Sequence, residues 1–295
     1  MSTQQPSTQG WGGMGWGLLG VIGFAGSLPM TKLAVVDLNP WFISLGRALV
    51  AAVLSILLLL WHRSRWPQGR EWGWLAGVVI GVVLGFPVFS TLALQYVTSS
   101  QASVINGTLP LATAVLAAWL TGERPRRAFW WWSILGSGLV VGFALWRSAH
   151  SGAGWRLSWG DGLMLLAVGI GALGYVAGGR VARTLGSWQT ICWALVMSLP
   201  FLLWPVWYTR PLHAVSGVAW GGFAYVSLIS MFLAFFAWYR GLAVGGIARV
   251  GQVQLLQPFF SLLLAALMLR EHVPPVMWLV ALAVVVCVAL GRRSA

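Results

Sequence analysis

The sequence predicts an all-α integral membrane protein of ten transmembrane helices, built as two inverted five-helix repeats with the N- and C-termini both inside. Three observations carry that prediction. Hydrophobic residues make up 59% of the chain and charged ones 8%, whereas a soluble domain carries about a quarter charged residues. The apolar stretches each run to roughly twenty residues, enough helix to cross about 30 Å of hydrocarbon. A pattern also recurs at an offset of 148 positions. It carries Pro110 and Glu123 onto Pro258 and Glu271, Lys32 onto Arg180, Gly23 and Gly26 onto Gly171 and Gly174, Leu94 onto Leu242, and Ala117-Ala118 onto Ala265-Ala266.

In chain order the spans fall at about 13–31, 41–61, 72–94, 100–120, 129–146, 160–179, 188–208, 218–239, 250–269 and 274–290. Residues 1–12 are a polar tail without a basic n-region, and the apolar run after them is too long for a signal peptide, so it reads as a retained first span. Residues 13–146 make the first repeat, 147–159 a linker, 160–290 the second repeat and 291–295 a C-terminal tail. Five spans per repeat, an odd number, turn the second copy upside down relative to the first. Inverted repeats of this kind are characteristic of alternating-access transporters.

The net charge of +13 raises the question of a nucleic-acid partner, but the basic residues sit at span ends and form no single patch. With the N-terminus inside, the inner loops hold Arg63, Arg65, Arg70, Arg124, Arg126, Arg127, Arg180, Arg183, Arg240, Arg249, Arg292 and Arg293. The outer loops hold only Lys32, Arg147, Arg156, Arg210 and Arg270. That asymmetry follows the positive-inside rule and orients the chain. The charge is therefore a topology signal, and no nucleic-acid partner is expected.

Several motifs carry no chemistry. The strings Gly15-Trp-Gly17-Leu-Leu-Gly20 and Gly169-Ile-Gly171-Ala-Leu-Gly174 match a dinucleotide fingerprint, but that site needs a preceding strand, and within membrane helices glycine serves close helix approach. Gly77, Gly81 and Gly85, like Gly138/Gly142 and Gly217/Gly221, read as packing faces; internal packing and a dimer use such faces equally well, so the oligomeric state stays open, a monomer included. Asn106-Gly-Thr108 matches a glycosylation sequon at membrane depth, out of reach of modifying enzymes. Cys192 and Cys287 lie in different apolar spans and suggest no disulfide framework. His62, His150, His213 and His272 show no metal-ligand spacing. No metal, cofactor or enzymatic chemistry is expected.

The informative residues are polar ones at membrane depth, where an ionisable group costs at least about 2.5–3.5 kcal/mol. Arg47 lies six residues into the second span. It is either a structural arginine bonded to neighbouring carbonyls or a cation facing an anionic group of a ligand. Asn106 precedes Pro110, and Gln254 and Gln257 precede Pro258, with Asn106 meeting Gln254 under the 148 offset. Proline frees a backbone carbonyl one turn earlier, so these amides either repair that defect or line a cavity. Tyr175, Tyr225, Phe86 and Ser90 complete the candidates; Phe86 and Ser90 share one face beside Pro87.

Together these features resemble the EamA-type members of the drug/metabolite transporter superfamily. The resemblance rests on ten spans in two halves, the Pro-to-Glu spacing closing spans four and nine, Arg47 early in span two and Lys32 ending span one, and it covers essentially the whole chain. Gly122-Glu123-Arg124-Pro125 and Gly136 keep the family pattern, while Arg270-Glu271-His272-Val273 departs from it. The resemblance implies a multi-pass exporter of small metabolites in the inner (plasma) membrane, with membrane lipid as surroundings and a central cavity. Within that superfamily the chain is similar to the YddG-type exporters of aromatic and other neutral amino acids. The expected substrate-binding residues are Asn106, Gln254, Gln257, Tyr175, Tyr225, Ser90, Phe86 and Arg47, and the expected hinges are Pro29, Pro87, Pro110 and Pro258. Without a buried carboxylate or histidine in the spans, facilitated efflux is expected over tight proton coupling. The competing readings are a drug or other metabolite exporter of the same fold, a membrane scaffold, and a lipid-acting membrane enzyme.

Overall fold

The computed structural model describes residues 8–93, 95, 96, 102, 105–150, 158–269 and 275–293. Among these, every regular element is helical. Among the described residues six helices are long and apolar enough to cross a membrane: Gly12–Thr31, Pro40–Trp61, Arg70–Ala93, Trp159–Val181, Ser187–Tyr208 and Gly217–Gly245. Leu109–Thr121 and Trp278–Gly291 are shorter apolar helices, and Arg127–His150 is a further long helix. Their outer surfaces are apolar, with Leu57, Leu60 and Trp204 largely exposed. Trp61 and Trp159 project at helix ends, where an indole partitions to the membrane interface.

Local chemistry sets the helix limits. Asn39 caps Pro40–Trp61 by accepting the Trp41 N–H at 2.9 Å, with proline in the first turn; both features suit donors that have no intrahelical acceptor. Ser216 caps Gly217–Ala224 by accepting the Ala219 N–H. Gly122 ends Leu109–Thr121 with φ +71, a left-handed conformation favourable to glycine. The tail expected to run to Gly12 is already helical from Thr8, because propagation adds a hydrogen bond per residue once a helix is nucleated.

Several spans are interrupted inside, at the prolines expected to break them. The fourth turns at Gly107-Thr108 before Leu109–Thr121, and the ninth begins as Ile247–Gly251, tightens to a 3₁₀ stretch at Gln252–Leu256 and resumes as Gln257–Leu269. Proline is the cause: Pro110 and Pro258 have no N–H to offer the carbonyls of Asn106 and Gln254 four residues earlier, and their rings crowd those carbonyls. Pro29 acts likewise on the Ala25 carbonyl, which instead accepts the Ser261 hydroxyl at 2.8 Å. Pro87 follows a π-helical stretch, Val79–Gly85, and a second such stretch, Tyr225–Leu233, interrupts Gly217–Gly245. The 148 offset superposes the ends of these two wide turns, Gly85 on Leu233.

The two halves interleave. The first helix packs along Ala234–Gly245, Pro40–Trp61 along Ser187–Tyr208, Phe86–Ala93 and Leu109–Thr121 on Trp159–Val181, and Arg127–His150 on Pro275–Arg293. Glycine permits the closest crossings: a Cβ on Gly13 would lie 2.5 Å from the Gly245 Cα, and one on Gly241 2.7 Å from the Gly17 nitrogen. Gly77, Gly81 and Gly85 likewise face Ala177, Gly174 and Ile170. Gly138, Gly142, Gly217 and Gly221, expected as packing faces, meet no described atom within 4 Å of a built Cβ; their spacing reproduces a packing stripe on faces that this chain leaves uncovered.

Candidate functional site

At one end of the bundle, Glu123 follows the αL turn at Gly122. Its Oε1 accepts the Ile247 N–H at 3.1 Å and its Oε2 the Ala248 N–H at 2.9 Å, while the Arg183 guanidinium donates to Oε1 at 3.0 Å. A carboxylate on the first turn of a helix satisfies orphan donors and complements the helix dipole. Beside it Arg65 binds both oxygens of Glu71, and Arg65 and Thr184 tie the two halves together through the Thr184 carbonyl and hydroxyl. The bound Arg65 guanidinium holds the Glu71 carboxyl down at about 2, aided by Thr184 and the Gln68 N–H, while partial burial acts in the opposite direction. Basic loops expected to share one side of the membrane thus meet at this end, and the Gly13–Gly245 approach places the start of the chain there as well. At the opposite end Asp37 accepts the Ser216 N–H at 3.0 Å, and the hydrogen bonds from Ser216 lower its carboxyl.

Between these ends lies a cavity of about 110 Å³. By register it sits nearer the Asp37 end. It takes Ile43, Ser44 and Arg47 from the first turns of Pro40–Trp61, and Phe86, Ser90 and Thr91 from the last turns before Ala93. A layer of aromatic rings separates it from the Glu123 end. Phe24 meets Phe235 edge-on at 4.8 Å, Tyr175 packs 5.2 Å from Trp238, and Trp238 and Tyr239 are fully buried. The Tyr239 hydroxyl donates to the Gly174 carbonyl at 3.3 Å.

Of the eight residues expected to bind a ligand, seven line this cavity: Arg47, Phe86, Ser90, Asn106, Tyr175, Gln254 and Gln257. Tyr225 does not line it. Its hydroxyl turns to the Gly23 carbonyl at 3.1 Å, and its ring fills the space beside Gly26, so it reads as a brace between helices. The four expected hinge prolines all stand at helix interruptions: Pro29 in Ser27–Ala34, Pro87 after the π stretch, and Pro110 and Pro258 at the second positions of their helices. Glu271 lies outside the described residues.

The polar groups on the cavity wall divide into satisfied and orphaned ones. Ser27 and Ser230 share a hydrogen bond at 2.6 Å, as do Ser44 and Thr91. Gln254 Nε2 donates to the Tyr175 hydroxyl at 3.0 Å and to Gln257 Oε1 at 3.3 Å. By contrast Arg47 Nε, Asn106 Oδ1 and Gln254 Oε1 are buried without a partner among the described residues. Such groups are uncommon in folded proteins and costly to leave so. Among the described lining residues there is no carboxylate and no histidine. The lining hydroxyls Ser27, Thr31, Ser44 and Ser230 escaped sequence reasoning, because a serine or threonine in a membrane helix commonly bonds its own backbone and its presence alone says little.

The EamA-like transporter family matches the chain twice, over residues 11–148 and 158–291. The "Uncharacterized transporter YdeK" of Bacillus subtilis (strain 168) is 49% identical over 285 residues, spanning 95% of this chain and 98% of its own. An uncharacterized transporter of Synechocystis sp. is 26% identical, over 84% of this chain and 80% of its own, and one of Archaeoglobus fulgidus is 24% identical, over 84% and 86%. A crystal structure sharing 17% identity superposes with a TM-score of 0.77 over 94% of this chain and 95% of its own; that likeness concerns the fold.

Proposed function

Because the chain belongs to the EamA-like transporter family, we propose that it exports neutral amino acids, aromatic ones included, across the inner (plasma) membrane by alternating access. One observation carries the substrate class: the cavity combines aromatic walls with orphaned amide oxygens, Asn106 Oδ1 and Gln254 Oε1, and its described lining has no acid. An apolar side chain suits Phe24, Phe86 and Phe235, and an ammonium group supplies the donors that the two amide oxygens lack. A polyanion would leave those oxygens facing negative charge.

The access cycle follows from the asymmetry of the site. The cavity lies nearer the Asp37 end, where among the described residues Asp37 alone holds His213 and Ser216 of the other half, while the Glu123 and Glu71 clusters join the halves at the other end. With the basic loops inside, this arrangement faces outward, and release of the Glu123 contacts together with bending at Pro29, Pro87, Pro110 and Pro258 exposes the cavity to the inside. In this reading substrate moves down its own gradient, since the described lining offers no carboxylate or histidine to carry a proton. The test is efflux of labelled phenylalanine from preloaded proteoliposomes by wild type, Asn106→Ala and Gln254→Ala. Release by wild type, strongly reduced in both variants and indifferent to an imposed pH gradient, is expected. Equal release by all three removes the amide site, and no wild-type release above empty vesicles removes the amino-acid assignment.

A further inference from the structure

Arg47 stands in the third turn of Pro40–Trp61 on the cavity wall, with its Nε buried and unpartnered. An arginine in such a place does not shed its proton to escape the cost, as a lysine does. It needs an anion. Among the described residues no carboxylate lines the cavity beside it: the two ion pairs, Arg65–Glu71 and Arg183–Glu123, lie at the other end of the bundle, Asp37 is engaged with Ser216, and Asp161 caps its own helix by accepting the Ser158 N–H at 2.7 Å. The neighbouring hydroxyls Ser44 and Thr91 bond each other, and the Arg47 Nε keeps no partner among the described residues. Three groups therefore await a ligand, one cationic donor and two neutral acceptors.

We propose that Arg47 is the carboxylate-docking residue of this cavity, and that a carboxylate is the obligatory element of its ligands. The proposal rests on the reading of the cavity as the substrate site. A zwitterionic amino acid satisfies all three orphaned groups. A simple monocarboxylate satisfies the costliest one. An amine lacking the carboxylate leaves Arg47 unpaired and brings a second positive charge into the same low-dielectric space, where like charges repel strongly. Selection accordingly falls on the acid end of the molecule, and organic cations are rejected however well their apolar parts fit.

Calorimetric titration of the purified full-length protein in detergent with three related ligands tests this. L-phenylalanine keeps both groups, 3-phenylpropionate lacks the amine, and phenethylamine lacks the carboxylate. A hydrogen-bonded charge contact is worth roughly 10- to 100-fold in affinity. Phenethylamine is therefore expected to bind at least about 10-fold more weakly than the two acids. In Arg47→Gln that gap is expected to collapse, and in Arg47→Lys, which keeps a point charge, it is expected to be partly retained. A role confined to structure would weaken all three ligands alike. Should Arg47→Gln fail to fold, Arg47→Lys and the wild-type ligand series decide the matter. Phenethylamine binding as tightly as phenylalanine overturns the role of Arg47 and leaves the amino-acid reading standing. Binding of 3-phenylpropionate without phenylalanine supports Arg47 and overturns the amino-acid reading. Absence of binding by both acids overturns both.

Discussion

Glu123 offers a direct test of what holds one end of the cavity shut. Its carboxylate joins the end of Leu109–Thr121, in the first half, to the start of Ile247–Gly251 and to Arg183, both in the second. Replacing it with alanine strips the cap from that helix start, which costs about 1 kcal/mol and up to about 2. The Arg183 pair is partly exposed, 37% on the arginine and 21% on the glutamate, so its loss adds between zero and about 1 kcal/mol. Together they amount to about 1–3 kcal/mol, roughly a 5- to 150-fold shift in the ratio of closed to open at that end. Glutamine keeps an acceptor for one N–H and loses the charge, and should fall between. The assay is a distance distribution between spin labels at Arg124→Cys and Val244→Cys, both exposed, in a background with Cys192 and Cys287 replaced. A growing long-distance population in the order wild type, Glu123→Gln, Glu123→Ala is expected. Distributions unchanged in both variants would refute a latch and reduce Glu123 to a local helix cap.

Two other perturbations follow from the geometry. Gly174→Ala places a Cβ 2.9 Å from the Gly81 Cα and should destabilise the fold by about 1–3 kcal/mol through overpacking. Gly138→Ala meets open space and should be neutral or stabilising by up to about 1 kcal/mol from helix propensity; thermal melts in detergent read both, and equal effects would discredit the packing assignment. The Glu71 carboxyl, held at about 2 against an ordinary 4.5, contributes stability that is fully present above pH 4.5 and lost as pH falls towards 2. Wild type should therefore lose melting temperature more steeply than Glu71→Gln on acidification below pH 4.5, and parallel curves would show the Arg65 contact to be without effect.

Much of the fold was legible because the bilayer imposes few solutions: long apolar helices, basic loops and a repeat offset are read directly from residue order. The site was partly legible for the same reason, since amides at depth beside Pro110 and Pro258 are conspicuous where polarity is penalised. What escaped depends on geometry that residue type does not encode. The π stretches at Val79–Gly85 and Tyr225–Leu233 carry no consistent residue signature, yet each lends side chains to the cavity wall, Val82 from one and Ser230 and Met231 from the other. Tyr225 and Tyr175 look alike in sequence, yet one reaches the Gly23 carbonyl and the other Gln254. Glu123 was visible only as half of a spacing; its partners lie 60 to 125 residues away in the chain, and no local pattern announces a carboxylate that caps a helix of the other half.

The interleaving of the halves bears on how the chain matures. Helix Thr8–Ala25 leaves the ribosome with its glycine face bare, and the surface that covers it, Ala234–Gly245, is made only when most of the protein has been inserted. The same delay applies to Pro40–Trp61, which waits for Ser187–Tyr208. Neither half closes a core of its own, so the first repeat must persist in the lipid as a loose set of helices until the second threads between them. Duplication here therefore yielded two templates that complete one another, and the contacts between them can close only after both are in the membrane.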